Sequence, residues 1–198
     1  AGADIKEFTT IQNGAEFAKL AERGQSVFER MEKFPKPIIA AIHGAALGGG
    51  LELAMACHFR VVSETAKLGL PELQLGLVPG FAGTQRLPRY IGMARAAEML
   101  FTSDPITGVE AVQCGLANHA YPESVLLEKA YSMAEKIAKK SPLALKMAIE
   151  LLNCSKTEEF HNGVKKEAEL FGQIFVSEDA KEGISAFIDK REPRFIGR

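Results

Sequence analysis

Two carboxylates stand out by where the chain places them. Glu52 heads an apolar helical pattern, LELAMAC, directly after three consecutive glycines, Gly48, Gly49 and Gly50. Glu72 follows further on, in the segment LGLPELQLG. A charge at the start of an otherwise apolar helix is out of place as packing and reads as chemistry. The glycines indicate which kind. A hydrophobic run, Pro37 to Ile42, leads into Gly44 and then the triplet. A buried strand ending there can turn through backbone conformations that a Cβ would forbid. A helix that starts between Gly49 and Glu52 offers free N–H groups and the positive end of its dipole. Such an end holds an anion, or a carbonyl oxygen on its way to becoming one. A phosphate loop of the GxxxxGK[ST] type needs a Lys beside a Ser or Thr, and neither follows; the dinucleotide fingerprint G-x-G-x-x-G is not matched either. The plainer alternative is that the glycines only let strand and helix pack closely.

The elements around this stretch can be read from the pattern. Phe17, Leu20, Val27, Phe28 and Met31 recur at helical spacing, which predicts an amphipathic helix over 15–34, ended by Pro35 and Pro37. A buried strand follows over 37–43, a helix over 50–57 and a second short strand over 58–62. Gly76, Gly80 and Gly83 mark a long glycine-rich loop, LGLVPGFAGTQRLPRYIG. A helix over 93–101 comes next. Thr107 and Glu110 form a capping box for another helix, and 116–121 forms a short strand. Beyond it the pattern is helical: 123–140, 142–153, 157–172 and 178–190. Alternating α and β followed by helices alone gives an α/β core over 1–122 and a helical region over 123–198.

Composition narrows the class. The chain has 198 residues, a net charge of −1 and 46% hydrophobic residues, enough for one domain with a real core. No basic excess argues for nucleic acid, and no apolar run reaches membrane length. Cys57, Cys114 and Cys154 are an odd number without metal-like spacing and read as reduced thiols of a cytoplasmic protein. His43, His58, His119 and His161 fit no triad and no metal pattern. The opening Ala1-Gly2-Ala3-Asp4 reads as the middle of a loop, with Asp4 capping the segment after it, so a preceding segment is expected.

Three stretches, AGADIKEF, GAALGGGLELAMAC and LPELQLGLVPGFAGTQRL, stand in an order and spacing that resembles the crotonase (enoyl-CoA hydratase/isomerase) superfamily. The likeness runs from Ala1 to SAFIDKREPRF and is strongest to the enoyl-CoA hydratases of fatty-acid β-oxidation. It implies a spiral of ββα units followed by a helical trimerisation region, with the first strands of the fold lying before Ala1. It also implies a homotrimer, or a hexamer built from two trimers.

The resemblance assigns roles residue by residue. The backbone N–H groups of Ala3 and Gly49 would hold the thioester oxygen, whose negative charge grows as the enolate forms. Glu52 would activate water and Glu72 would give a proton to C2; two carboxylates sharing one water can do both jobs in different protonation states. Ala1, Gly2, Asp4 and Ile5, with Gly48, Pro71 and Gly80, would border the acyl-CoA thioester. Lys6 would meet the CoA phosphates or adenine, and Lys190 would reach a neighbouring subunit's CoA. The substrate carries the coenzyme A, so no cofactor, metal, nucleic acid or membrane is expected. The implied reaction is hydration of a 2-trans-enoyl-CoA to a 3-hydroxyacyl-CoA. Isomerases of the family generally keep only the carboxylate at the Glu72 position, and non-catalytic members often lose one of the two. Both alternatives, an isomerase or related acyl-CoA lyase and a non-catalytic binding protein, therefore fit less well. The chain's end at Arg198 without a dinucleotide fingerprint favours a separate enzyme.

Overall fold

The apolar lead-in to the glycines forms the strand its composition indicates. The structure, a computed structural model, describes residues 13–198, and in it β1 covers Ile39–Ile42. Helix α1, Gly14–Glu32, precedes it, and Asn13 Oδ1 caps that helix by accepting the Glu16 N–H at 2.9 Å. From β1 onward the chain repeats one pattern. β1 lies in one three-stranded sheet, β2 (Ala45–Leu47) in another, and helix α2 (Gly49–Ala56) follows. β3 (Phe59–Ser63) returns to the first sheet and β4 (Lys67–Gly69) to the second. A single 3-10 turn, Glu72–Leu75, and helix α3 (Gly83–Thr102) come next. Then come β5 (Ile106–Thr107), α4 (Gly108–Gln113), β6 (His119–Tyr121) and α5 (Glu123–Ala138).

The first sheet runs β1-β3-β6 and is parallel throughout, with Ile39 opposite Phe59 and Val61 opposite His119. The second runs β2-β4-β5, parallel and then antiparallel. Four consecutive residues of β3, Arg60 to Ser63, are buried, as expected of a parallel strand covered on both faces. Leu51, Met55, Val62, Leu68, Leu70, Leu87 and Leu116 pack in the core between these elements. Residues of α2 are apolar on almost every side and it is accordingly buried.

A buried cation fixes the far end of α2. Arg60 donates from Nη1 to the carbonyls of Cys57 (2.8 Å) and Ala54 (3.3 Å), and from Nε to that of Leu116 at 2.6 Å. Its guanidinium lies 4.2 Å from the centroid of the Tyr90 ring, whose hydroxyl donates to the Met55 carbonyl at 3.0 Å. The last carbonyls of α2 thus have partners, and a positive charge sits at the helix's negative end.

The chain divides into two compact units. One comprises the described residues up to Met31 and Ile38–Tyr131; the other comprises Glu32–Pro37 and Ser132–Arg198. The second unit holds α6 (Pro142–Thr157), α7 (Phe160–Phe175) and α8 (Glu178–Ile188). Its chain end is tied down by Asp179, which is buried and accepts from the N–H groups of Ile196 (2.7 Å) and Gly197 (3.1 Å) and from the Ser141 hydroxyl at 2.6 Å.

Two local differences from the sequence pattern have physical causes. Ala45–Leu47 and Lys67–Gly69 are strands too short to show an alternation. The expected glycine-rich loop ends early, because Gly83 to Ile91 is already helical and Gly92, at φ 75° and ψ 161°, only interrupts α3. Pro88 and the flanking glycines read as loop signals there, while the group that caps the helix comes from a distant part of the chain. The capping box at Thr107 is present, with Glu110 N–H to Thr107 Oγ1 at 3.2 Å and Thr107 N–H to Glu110 Oε2 at 2.7 Å.

Candidate active site

Gly48 starts the helix that carries Glu52 and is closely approached by the Glu72 carboxylate. It takes φ 53° and ψ −126° ahead of α2, a conformation that favours glycine, and its N–H is tied to the Gly69 carbonyl at 2.9 Å. Its own carbonyl accepts the Leu51 and Glu52 N–H groups and so starts the helix. On its other side the Glu72 carboxylate approaches so closely that a Cβ on residue 48 would lie 2.8 Å from Glu72 Oε1. The same glycine therefore launches the helix that carries Glu52 and leaves room for Glu72. Gly49 is the first residue of α2, where helix geometry leaves the N–H without an intrahelical acceptor.

Glu52 lies in the first turn of α2 and is only 1% exposed. Its Oε1 accepts two backbone N–H groups, from Gly83 at 2.7 Å and Phe81 at 2.8 Å. Gly83 is the first residue of α3, and the residue before it, Ala82, offers no side-chain cap. The Glu52 carboxylate fills that place, held at a helix N-terminus where negative charge is favoured. A Cβ on Gly83 would stand 2.8 Å from Glu52 Oε1 and 3.0 Å from Pro79 Cβ, so glycine is required by the close approach itself.

Glu72 opens the 3-10 turn behind Pro71 and is half-buried. Its Oε2 is a buried oxygen without a hydrogen-bond partner among the described residues. Burial pushes the Glu52 carboxyl above its ordinary range; the Gly83 and Phe81 amides pull it back, the Glu72 charge pushes it further up and Arg86 opposes that. Burial likewise raises Glu72, against a hydrogen bond from its own backbone amide. Desolvation therefore raises both carboxyls; the Gly83 and Phe81 amides oppose it at Glu52, and its own backbone amide opposes it at Glu72.

The structure brings Glu52, Glu72, Gly48, Gly49 and Pro71 together. Gly80 lies in the turn ahead of Gly83, where its carbonyl accepts the Gln25 side-chain N–H at 2.9 Å. Ala1, Gly2, Ala3, Asp4, Ile5 and Lys6 lie outside the described residues. Lys190 lies in the second unit just past α8, exposed, with φ 56°. The Phe81 amide and Arg86 were not singled out in the sequence, and Gly83 read only as a loop marker. The signal near them was the glycine-rich loop, of which Gly80 alone read as bordering the acyl thioester. Among the described residues no cluster of three or more His, Cys, Asp or Glu side chains could hold a metal ion. No helix among them is long and apolar enough to cross a membrane. The nitrogen Nδ1 of His58 accepts the Ile38 N–H at 3.0 Å.

The site thus joins a glycine-started helix N-terminus to a buried carboxylate, Glu52, and a half-buried one, Glu72. The enoyl-CoA hydratase/isomerase family model matches residues 1–198. The chain is 58% identical over 198 residues to a probable enoyl-CoA hydratase of Bacillus subtilis, covering 100% of this chain and 77% of that protein. It is 42% identical over 192 residues to a short-chain-enoyl-CoA hydratase of Clostridium acetobutylicum, covering 97% of this chain and 73% of the relative. The crystal structure of an enoyl-CoA hydratase from Bacillus anthracis superposes with a TM-score of 0.94 at 40% identity, covering 100% of this chain and 76% of that one. The chain belongs to the enoyl-CoA hydratase/isomerase family and has the crotonase fold.

Proposed function

We propose that the protein is an enoyl-CoA hydratase that adds water in syn fashion across the double bond of a 2-trans-enoyl-CoA, giving a 3-hydroxyacyl-CoA, within fatty-acid β-oxidation. The observation that carries this reading is the unequal pair: Glu52 with two amide donors on one oxygen, Glu72 with a buried oxygen that has none among the described residues. Burial raises both carboxyls, and at Glu52 the two amides oppose that rise, which suits Glu52 to be the base and Glu72 the acid. Glu52, ionised, takes a proton from water as the water oxygen bonds to C3. Glu72, protonated, gives its proton to C2. The double bond is consumed, no electrons are lost or gained, and a proton passed back from Glu52 to Glu72 resets the pair. The Gly49 N–H, joined by that of Ala3, stabilises the oxygen of the thioester as it gains charge. Such a preset donor contributes on the order of 10²–10³ in rate. Proton transfer and hydrogen bonding supply every step, so the reaction requires no cofactor or metal beyond the coenzyme A of the substrate.

Relatives named as hydratases, and a family whose substrates are acyl-CoA thioesters, support the same reading. Pro71 and Gly80 border the acyl thioester in this account, and Ala1, Gly2, Asp4, Ile5, Lys6 and Lys190 contact the rest of the substrate. We place the protein in the cytoplasm, where its three free thiols, Cys57, Cys114 and Cys154, stay reduced. We also assign the helices after 123 to a homotrimer or hexamer. Their exposed Phe160, Phe171 and Phe187 support that; a monomeric mass by light scattering of active protein contradicts it. The activity is tested by adding the full-length protein to crotonyl-CoA. The enoyl-thioester absorbance falls and 3-hydroxybutyryl-CoA appears; unchanged absorbance rejects the hydratase.

A further inference from the structure

Arg86 is a buried guanidinium in the first turn of α3, three residues after Gly83. Its Nη1 donates to the Phe81 carbonyl at 2.7 Å, and its charged carbon stands 6.0 Å from the centroid of the Phe28 ring on α1. The Phe81 ring packs edge-on against Phe28, with centroids 5.6 Å apart, and its edge is pressed so close to Gly24 that a Cβ there would collide with it. Phe81 is thus fixed by its ring and by its carbonyl, while its N–H points at Glu52 Oε1. The peptide that carries this N–H is held from behind as well, because its carbonyl belongs to Gly80 and accepts from Gln25.

The next residue explains why such a grip is needed. Ala82 has φ 69° and ψ 23°, a left-handed conformation that a residue with a Cβ keeps only when its surroundings impose it. That bend swings the Gly83 N–H round to the same carboxylate oxygen that the Phe81 N–H already meets. The Phe81 carbonyl lies between the two donors, on the peptide linking Phe81 to Ala82. Whatever holds that carbonyl sets the bend.

We propose that Arg86 is a positioning residue for Glu52: by holding the Phe81 carbonyl it keeps the turn bent, so that the Phe81 and Gly83 N–H groups converge on Glu52 Oε1. The inference rests on the reading of Glu52 as the base that activates water. Two charged groups act on Glu52 among the described residues, Glu72 from the 3-10 turn and Arg86 from α3, and they act in opposite directions. Removing Arg86 withdraws the opposing charge and loosens both amide donors, and each change favours the protonated carboxyl.

The test is the pH profile of crotonyl-CoA hydration by the full-length protein and its Arg86→Met, Arg86→Lys, Glu52→Gln and doubly substituted Glu52→Gln/Arg86→Met variants. Arg86→Met is expected to lose on the order of 10²-fold in kcat, the scale set by a misplaced catalytic group, with a smaller change in KM. The acid limb of its kcat/KM profile moves to higher pH. Arg86→Lys, which keeps a charged donor for the Phe81 carbonyl, recovers part of the rate. The double variant is no slower than Glu52→Gln alone, because Arg86 acts through Glu52. If Arg86→Met does not fold, Arg86→Gln is read in the same way. An active parent protein whose Arg86 variants keep the parental acid limb, or whose losses multiply in the double variant, makes Arg86 a packing residue and overturns the proposal. A parent protein that hydrates no enoyl-CoA overturns the reading of Glu52 and this inference with it.

Discussion

Glu52 Oε1 accepts the Gly83 N–H at 2.7 Å, so one carboxylate in the first turn of α2 is also the N-terminal cap of α3. The group read as the base of the reaction therefore contributes to the fold that surrounds it. The same two hydrogen bonds hold its position and favour its ionised form against burial.

This contact makes Gly83 the most sensitive uncharged position of the site. Gly83→Ala places a methyl group 2.8 Å from Glu52 Oε1 and 3.0 Å from Pro79 Cβ, and Glu52 cannot withdraw without lengthening its hydrogen bonds from the Gly83 and Phe81 amides. The expected result is a loss of hydration on the order of 10²-fold with circular dichroism unchanged. Turnover within a few-fold of the parent shows that Glu52 tolerates displacement.

Burial of Glu52 and Glu72 gives a stability prediction with a definite sign. Burial is the leading cause that raises both carboxyls in the folded protein. The folded state then binds these protons more tightly than the unfolded chain. The stabilisation from this tighter binding is fully present below the ordinary carboxylate range, about pH 4.3 for Glu, and is lost as pH rises through the folded values. Glu52→Gln keeps an Oε1 to accept from Gly83 and Phe81 but carries no charge to desolvate. Its melting temperature should therefore match or exceed the parent's at pH 8, with the difference shrinking as pH falls below the carboxylate range. A large loss of stability at pH 8 shows that ionised Glu52 is a net stabiliser.

Much of this arrangement was legible in the chain. The glycine triplet before an apolar helix located Gly48, Gly49 and Glu52, because a helix start after glycines is a local event. Thr107 and Glu110 lie three residues apart, and their capping box formed as the spacing indicates. The start of α3 was not legible, since its cap is the side chain of Glu52, 31 residues away in sequence. Local signals, Pro88 and Gly92 among them, pointed to a loop. The role of Phe81 escaped for the same reason: it offers a backbone N–H, which carries no residue identity. The short strands Ala45–Leu47 and Lys67–Gly69 are fixed by pairing with each other, not by any pattern of their own.

The second unit yields a prediction of opposite pH sense. Burial alone would raise the Asp179 carboxyl, but the Ser141 hydroxyl and the amides of Ile196, Gly197 and Arg198 outweigh it and hold it below the usual range. A depressed value in the folded state gives stability that is present above the unfolded pKa of about 3.9 and is lost as pH falls through the folded one. Asp179→Asn removes the ionised acceptor and should cost about 1–3 kcal/mol at neutral pH. The gap between variant and parent in thermal melts should close as the solution is acidified. A gap that persists undiminished at low pH assigns the cost to shape rather than charge.

The central claim is that Glu52 and Glu72 act together on one water, and hydration by their glutamine variants tests it most directly. Gln is close to Glu in shape but neither takes nor gives a proton at useful pH. Hydration of crotonyl-CoA by full-length Glu52→Gln and by Glu72→Gln should fall by about 10²–10⁴ each, the range of general acid–base groups. The double variant should fall no further than the slower single one, because the pair works as a unit. Glu52→Gln hydrating crotonyl-CoA at nearly the parental rate contradicts the two-carboxylate mechanism and moves the isomerase reading ahead.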